Sequence, residues 1–347
     1  MKVLLLLLLL LLLLLLLLLL LLLLLLLLTL LLLILGVAVV TNVGAKVTSL
    51  KAGDWVIPAN AAFGTWRQSA VTDEKALIKI PNDIPVAYAA TIAVNPSTAY
   101  RLLRDFESLK PGDVIIQNGA NSMVGLSVIQ MAREMGVKTI NIVRSDRLVL
   151  SSSSSSSSLS SYHCRIYRPH LEQTLRMLSN YGGDINVPED YVNSYGFNEM
   201  IKDLPPIKVA FNCIGGEGVV DIARVVGKGA TLVTYGGMSK EQVAIPSDLI
   251  SKKLLKLQSF WVTEWAKNHS IAERTTMIND IASLVRSKKL SLLYEMHDFD
   301  DFNYALHKSM EPYGLRKIIL NMDYPDRLKE HDARPSSDYW VFQTDTV

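Results

Sequence analysis

Three short stretches of this chain set glycines just beyond apolar runs: "NGANSMVG" (residues 118–125), "FNCIGG" (211–216) and "TYGGM" (234–238). A fourth, "VRSDR" (143–147), sets an arginine in the same kind of place. Glycine at a strand end lets the backbone approach a flat ring or a phosphate with no Cβ in the way. A helix that starts there favours an anion at its N-terminus. The first stretch departs from GxGxxG: Gly119 and Gly125 are in place, but Ser122 and Met123 stand where small residues are usual. Arg144 says more. A site for NADH places an acid at the end of the second strand for the ribose 2′-hydroxyl, whereas an arginine suits a 2′-phosphate. Here arginine comes first and Asp146 follows two residues later. The chain therefore favours NADPH, the plain alternative being a solvated loop arginine.

These residues need strands to carry them. Residues 96–106 have apolar side chains at Ala99, Leu102, Leu103 and Phe106, which is helical spacing. Strands are expected at 114–117 and 138–143, with an amphipathic helix over 126–136 that ends at Gly136. Strand, turn, helix and strand make a βαβ unit with a right-handed crossover. The alternation continues with a helix at 171–178, a strand at 208–216, a helix at 218–226 and a strand at 230–238. The fold class is α/β, a doubly wound sheet. Ligands lie beyond the carboxyl ends of such strands, so residues 118–125, Arg144, Gly215, Gly216 and 235–238 should line one crevice. The near-repeats "LKAGDWVI" (50–57) and "LKPGDVII" (109–116) each read as a turn feeding a strand.

Composition excludes several classes. The 347 residues hold enough chain for two domains. With 35 basic against 33 acidic residues there is no electrostatic case for nucleic acid. The two cysteines, Cys164 and Cys213, form no CxxC pair, and the six histidines form no HxxxH or HExxH pair, so no metal is assigned. Cys213 reads as a small buried hydrophobe.

Longer stretches carry a resemblance. "LKAGDWVIPANAAFGTWRQSAV", "TIAVNPSTAYRLLRDFESLKPGDVIIQNGANSMVG", "KTINIVR", "FNCIGG", "GATLVTYGGMS", "LQSFWVTEWAKNH" and "LRKIILNM" together resemble the mitochondrial trans-2-enoyl-CoA (enoyl thioester) reductases, in the zinc-free branch of the medium-chain dehydrogenase/reductase superfamily. The likeness runs from about Gly36 to Met322 with one interruption. It implies NADPH-dependent reduction of a 2,3-trans double bond in an enoyl-CoA or enoyl-acyl-carrier-protein, within mitochondrial fatty-acid synthesis, by a homodimer. It implies cofactor contacts at Asn95, at Asn121, Ser122, Met123 and Val124, at Arg144, Ser145 and Asp146, and at Tyr235, Gly236, Gly237 and Met238. Phe260, Trp261, Val262 and Lys317 complete that set. For some of these a plainer role stands beside the implied one: Phe260 and Trp261 as core aromatics, Asn95 as a turn residue ahead of Pro96.

The resemblance also implies a domain plan. Residues 37–94 and 287–322 correspond to part of a GroES-like β-barrel catalytic domain, incomplete here, and 95–286 to the Rossmann cofactor domain. The family's proton-donating tyrosine belongs ahead of Gly36, where this chain has leucine, so no catalytic residue is assigned. Residues 1–36 are almost pure leucine. They read as low-complexity sequence standing in place of ordinary sequence, the alternative being a membrane anchor through residues 4–35. The tail, 323–347, is charged and broken by proline, so disorder is expected there.

Eight serines at 151–158 fall inside the cofactor domain, between the second strand and the helix that crosses back over the sheet. Without residues 148–168 the text closes to "IVRSDRPHLEQTLRMLSN", with Pro169 in the first turn of a helix, where proline is tolerated. Residues 148–168 are thus read as an insertion beside the 2′-phosphate loop. Excising them is expected to tighten NADPH binding. Titrating NADPH against both chains tests this, and equal affinity contradicts the placement. Two other functions compete: a zinc-free NADPH quinone reductase, and a non-catalytic isoform that binds cofactor without a proton donor.

Overall fold

The two near-repeats fold alike in a computed structural model that describes residues 35–61, 63–144, 169–310, 316–322 and 341–343. In each, an aspartate N–H donates to the lysine carbonyl three residues back, at 3.1 Å for Asp54 and 3.0 Å for Asp113. The lysine N–H donates to the aspartate carboxylate in return, at 3.0 Å and 2.7 Å. Gly53 and Gly112 take φ of +87° and +89°, the left-handed setting required at the third position of a type II turn. Shared turn chemistry, not a repeat architecture, accounts for the similarity.

The first part of the chain forms β1 (Gly36–Val39), β2 (Trp55–Pro58) and β3 (Leu77–Ile80). The middle forms β4 (Val114–Gln117), β5 (Lys138–Val143), β6 (Ile185–Pro188), β7 (Ile207–Asn212), β8 (Thr231–Thr234) and β9 (Lys256–Ser259). These six pair in the order β6-β5-β4-β7-β8-β9, every pair parallel. That is the doubly wound order, and its direction reverses between β4 and β7. β4 is buried at every position. Ile115, Phe211 and Val233 pack into one core, while their neighbours Val114, Ile116, Ala210 and Leu232 pack into another on the opposite face. A sheet covered on both sides needs such unbroken apolar strands.

Helix Asn95–Asp105 carries Pro96 in its first turn, buries Ala99, Leu102 and Leu103, and packs against helix Met123–Glu134. Phe106, expected on the same face, meets Phe260 edge-on, with ring centroids 5.8 Å apart. The helix expected from residue 126 begins at Met123, because the Ser122 hydroxyl caps it by accepting from the Gly125 N–H at 3.1 Å. Helix Pro169–Asn180 starts at the proline itself.

Two strands are shorter than expected. The run read as 208–216 leaves the ladder after Asn212, whose side-chain oxygen accepts from the N–H groups of Ile214 (3.2 Å) and Gly215 (3.1 Å) and bends the chain. The run read as 230–238 ends at Thr234. Tyr235 and Met238 then donate to the carbonyls of Asn212 and Cys213, both at 2.9 Å, so the second turn follows the first.

A second sheet contains β1, β2 and β3 together with β10 (Tyr294–Asp298), β11 (Lys317–Asn321) and β12 (Val341–Gln343), in the order β10-β11-β12-β1-β2-β3. β12 corrects the expectation of a disordered tail at that point. It lies antiparallel between β1 and β11, opposing Val341 to Val37 and Phe342 to Leu320. The facing edges of β1 and β11 offer unpaired backbone groups, and the strand Val341–Gln343, which begins with two β-prone residues, satisfies both. The rest of the tail, the leucine run and the serine tract lie outside the described residues. No helix among the described residues is long and apolar enough to cross a membrane.

Candidate active site

A cavity of about 1100 Å³ opens between the two sheets, beyond the carboxyl ends of β4, β5, β7 and β8. It is as large as the upper end of small-molecule sites, about 1,000 Å³. The loop after β4 forms its floor. Within it the Asn118 N–H donates to the Phe211 carbonyl at 3.1 Å and the Ala120 N–H to the Ile142 carbonyl at 3.2 Å, tying the loop to both neighbouring strands. Gly125 brings the following helix against this loop: a Cβ there would lie 2.5 Å from the Ala120 carbonyl oxygen. Asn121, Ser122, Met123 and Val124 all line the cavity, so the positive end of a twelve-residue helix points into it. Ser122→Ala, which removes the cap, is expected to cost about 1 kcal/mol. The melting midpoint should fall by about 2–4 °C, and an unchanged midpoint contradicts the role.

Arg144 is exposed, directly follows the last residue of β5, and lines the cavity. Ser145 and Asp146, nominated with it, lie outside the described residues. From β7 and β8 come Cys213, Ile214 and Gly215, then Tyr235, Gly236 and Met238. Gly237, nominated with them, sits in the same turn but is not on the cavity wall, and neither is Gly216, which was expected in the same crevice. Phe260, Trp261 and Val262, at the end of β9 and the start of helix Val262–Lys267, close one side. Trp261 is 58% exposed and thus no core aromatic. Asn95 lies at the start of its helix, and Lys317 comes from β11 in the other sheet, both on the cavity wall.

Thr98 and Lys308 also line the cavity, although nothing in their sequence positions marks them as site residues. Lys308, on helix Phe302–Ser309, pairs with Glu295 on β10, while Thr98 lies on helix Asn95–Asp105. Both sit on helices whose apolar periodicity specifies a buried face but not which end meets a cleft. The stretch ahead of Gly36, where the family's tyrosine is expected, holds no tyrosine in this chain, and residues 1–34 lie outside the described residues. Among those residues, no group of three or more His, Cys, Asp or Glu side chains is arranged to hold a metal.

Two buried groups sit on the cavity wall. Burial pushes the Cys213 thiol up to about 11 and raises the Tyr235 phenol well above its ordinary value, so both are neutral at pH 7. Ser122 and Cys213 stand close enough to the Tyr235 hydroxyl to influence its ionisation. Neither bonds to it in acceptable geometry, and this buried oxygen has no partner among the described residues. A buried hydroxyl without a partner is costly. A ligand in the cavity would relieve that cost. The residues present fit a phosphorylated dinucleotide: a helix N-terminus, an arginine beyond the second strand, backbone glycines at Gly215 and Gly236, and an orphaned donor at Tyr235.

Doubly wound sheet, second sheet and the cleft between them define the medium-chain dehydrogenase/reductase class. Comparison with known proteins narrows this. A Dictyostelium discoideum protein, enoyl-(acyl-carrier-protein) reductase, mitochondrial, is 41% identical over 288 residues, spanning 83% of this chain and 76% of its own. The human protein of the same name is 41% identical over 83% of this chain and 71% of its own. The chain belongs to the mitochondrial enoyl-(acyl-carrier-protein) reductases. Among solved structures, the complex of Etr1p with NADP and crotonyl-CoA superposes with a TM-score of 0.68 at 31% identity, covering 79% of this chain and 76% of that one. The Candida tropicalis mitochondrial 2-enoyl thioester reductase Etr1p/Etr2p heterodimer gives 0.67 at 32%, with the same coverage. No protein-family model matches the chain.

Proposed function

We propose that this chain reduces the 2,3-trans double bond of enoyl thioesters, carried on CoA or acyl-carrier protein, with NADPH bound in the cleft between its sheets. The observation that carries this reading is the convergence of the strand-end segments and Arg144 on one cavity, in a chain 41% identical to relatives named for that reaction. NADPH, when bound, supplies a hydride. An enoyl thioester is already polarised toward hydride attack at Cβ and needs no Lewis acid; reduction leaves an enolate that requires hydrogen-bond donors and a proton. The N-terminus of helix Met123–Glu134 would hold the pyrophosphate, Arg144 the 2′-phosphate, and Tyr235, Gly236 and Met238 with Phe260 and Trp261 would enclose the reacting end.

Residues 95–286 serve as the cofactor domain, with 37–94 and 287–322 as the substrate side. β9 is exposed along its whole length and forms an open sheet edge, where a second copy would pair to give a homodimer. A mitochondrial location is supported by the relatives, which are named mitochondrial.

The test is NADPH oxidation by the purified full chain, with trans-2-enoyl-CoA of several chain lengths beside a quinone. Turnover of the thioesters, varying with acyl length, is expected. Preferential turnover of the quinone would overturn the proposal, and NADPH binding without turnover of either would favour the non-catalytic reading.

A further inference from the structure

A belt of amide side chains, continued by the Thr234 hydroxyl, crosses five neighbouring parallel strands level with the end of β4. On one side of the switch point, Gln117 donates to Asn141 (2.8 Å) and to the Gly125 carbonyl (3.1 Å), and Asn141 donates to Asn186 (2.9 Å). On the other side, Asn118 donates to Asn212 (2.7 Å) and Asn212 to the Thr234 hydroxyl (3.1 Å). Gln117, Asn141 and Asn212 are wholly buried, and Asn118 is nearly so. Filling strand ends with apolar side chains would avoid the desolvation of so many amides. The belt therefore has to supply direction as well as packing.

Asn212 has the most directed role. Its side-chain oxygen accepts three bonds: from the Asn118 side chain, from Ile214 N–H at 3.2 Å and from Gly215 N–H at 3.1 Å. Asn118 returns a bond by accepting from Cys213 N–H at 2.8 Å. The loop after β4, the turn after β7 and the end of β8, all next to the cavity, are thus referred to one carboxamide that does not itself line the cavity. In sheets of this order a dinucleotide's pyrophosphate would sit over the loop after the first strand and its second half would cross the switch point, toward the turn after β7.

We infer that Asn212 is a positioning residue for the nicotinamide half of the cofactor, fixing the turn at Ile214 and Gly215 against the loop after β4. The inference rests on the NADPH reading above. It separates the acceptor function of the Asn212 oxygen from mere filling of space. Asn212→Asp keeps an oxygen for all three donors, and Thr234 can turn its hydroxyl to donate to the other one. Asn212→Leu keeps the volume and loses every bond.

The experiment measures Kd for NADPH by fluorescence, with kcat and KM for a trans-2-enoyl-CoA and thermal melting, on the full chain and both variants. Asn212→Leu is expected to weaken NADPH binding about tenfold, as removing one well-made set of polar contacts does. Asn212→Asp is expected to recover to within about threefold of the parent. Asn186→Leu, in the belt but remote from the turn after β7, should lower the melting midpoint and leave Kd unchanged. If Asn212→Leu does not fold, the smaller Asn212→Ser, which leaves room for water at the freed amides, should show the same loss of affinity. A folded Asn212→Leu or Asn212→Ser with parental Kd would overturn the inference, as would equal impairment of the leucine and aspartate variants. A parent chain that binds no NADPH would instead overturn the cofactor reading, and this inference with it.

Discussion

Arg144→Glu raises the Kd for NADPH by about 100-fold while changing that for NADH by less than about threefold. The side chain leaves β5 one residue after the buried Val143, is exposed, and lines the cavity where the second strand ends. A guanidinium there makes two parallel charge-assisted bonds to a phosphate. Hydrogen bonds to charged groups contribute about 1.5–3 kcal/mol, roughly 10- to 100-fold in affinity, and a glutamate adds repulsion of the dianion. A ribose hydroxyl carries no charge to lose or repel. Fluorescence titration of the two nucleotides against parent and variant reads the ratio directly. Parallel losses for both would assign Arg144 to general anion attraction; no change in either would return it to the solvated loop.

Gly125→Val has a comparably large effect by a different route. A Cβ at this position would stand 2.5 Å from the Ala120 carbonyl oxygen and 2.7 Å from two further backbone atoms of Ala120. No flexible side chain is available to move aside, so the helix must lift from the loop. That displaces the helix N-terminus from the cavity and strains the Gln117 bond to the Gly125 carbonyl. Overpacking of this kind costs about 1–3 kcal/mol in stability. Loss of aligned helix N–H groups around a phosphate should weaken NADPH about tenfold or more. Melting and NADPH titration are both needed, because a variant that melts normally and binds NADPH normally would contradict the close-approach role.

The fold was legible where physical chemistry is local. Alternation of buried strands and amphipathic helices announced the doubly wound sheet, and turn residues at Gly53 and Gly112 announced β2 and β4. Boundaries went wrong where a side chain competes with the backbone. Asn212 ends β7 early by hydrogen-bonding its own downstream amides, and Ser122 starts a helix three residues sooner than the apolar pattern does. β12 was illegible because its stability comes from two open strand edges distant in sequence. The residues of the cavity fall along the same divide. Strand-end positions such as Arg144, Tyr235 and Gly236 could be nominated, since topology brings strand ends together. Thr98 and Lys308 could not, because helix periodicity carries no information about which turn borders a cleft. The weak glycine signature around Gly119 and Gly125 also makes sense in three dimensions: Ser122 serves as a cap, which a small apolar residue could not do.

Deuterium carried at the transferred position of NADPH gives the most direct measurement. After incubation with the full chain and a trans-2-enoyl-CoA, mass spectrometry of the saturated acyl product should show one deuterium, located at Cβ. An acyl product without the label, or enoyl thioester recovered unreduced while NADPH is bound, would contradict the reaction proposed for this cleft.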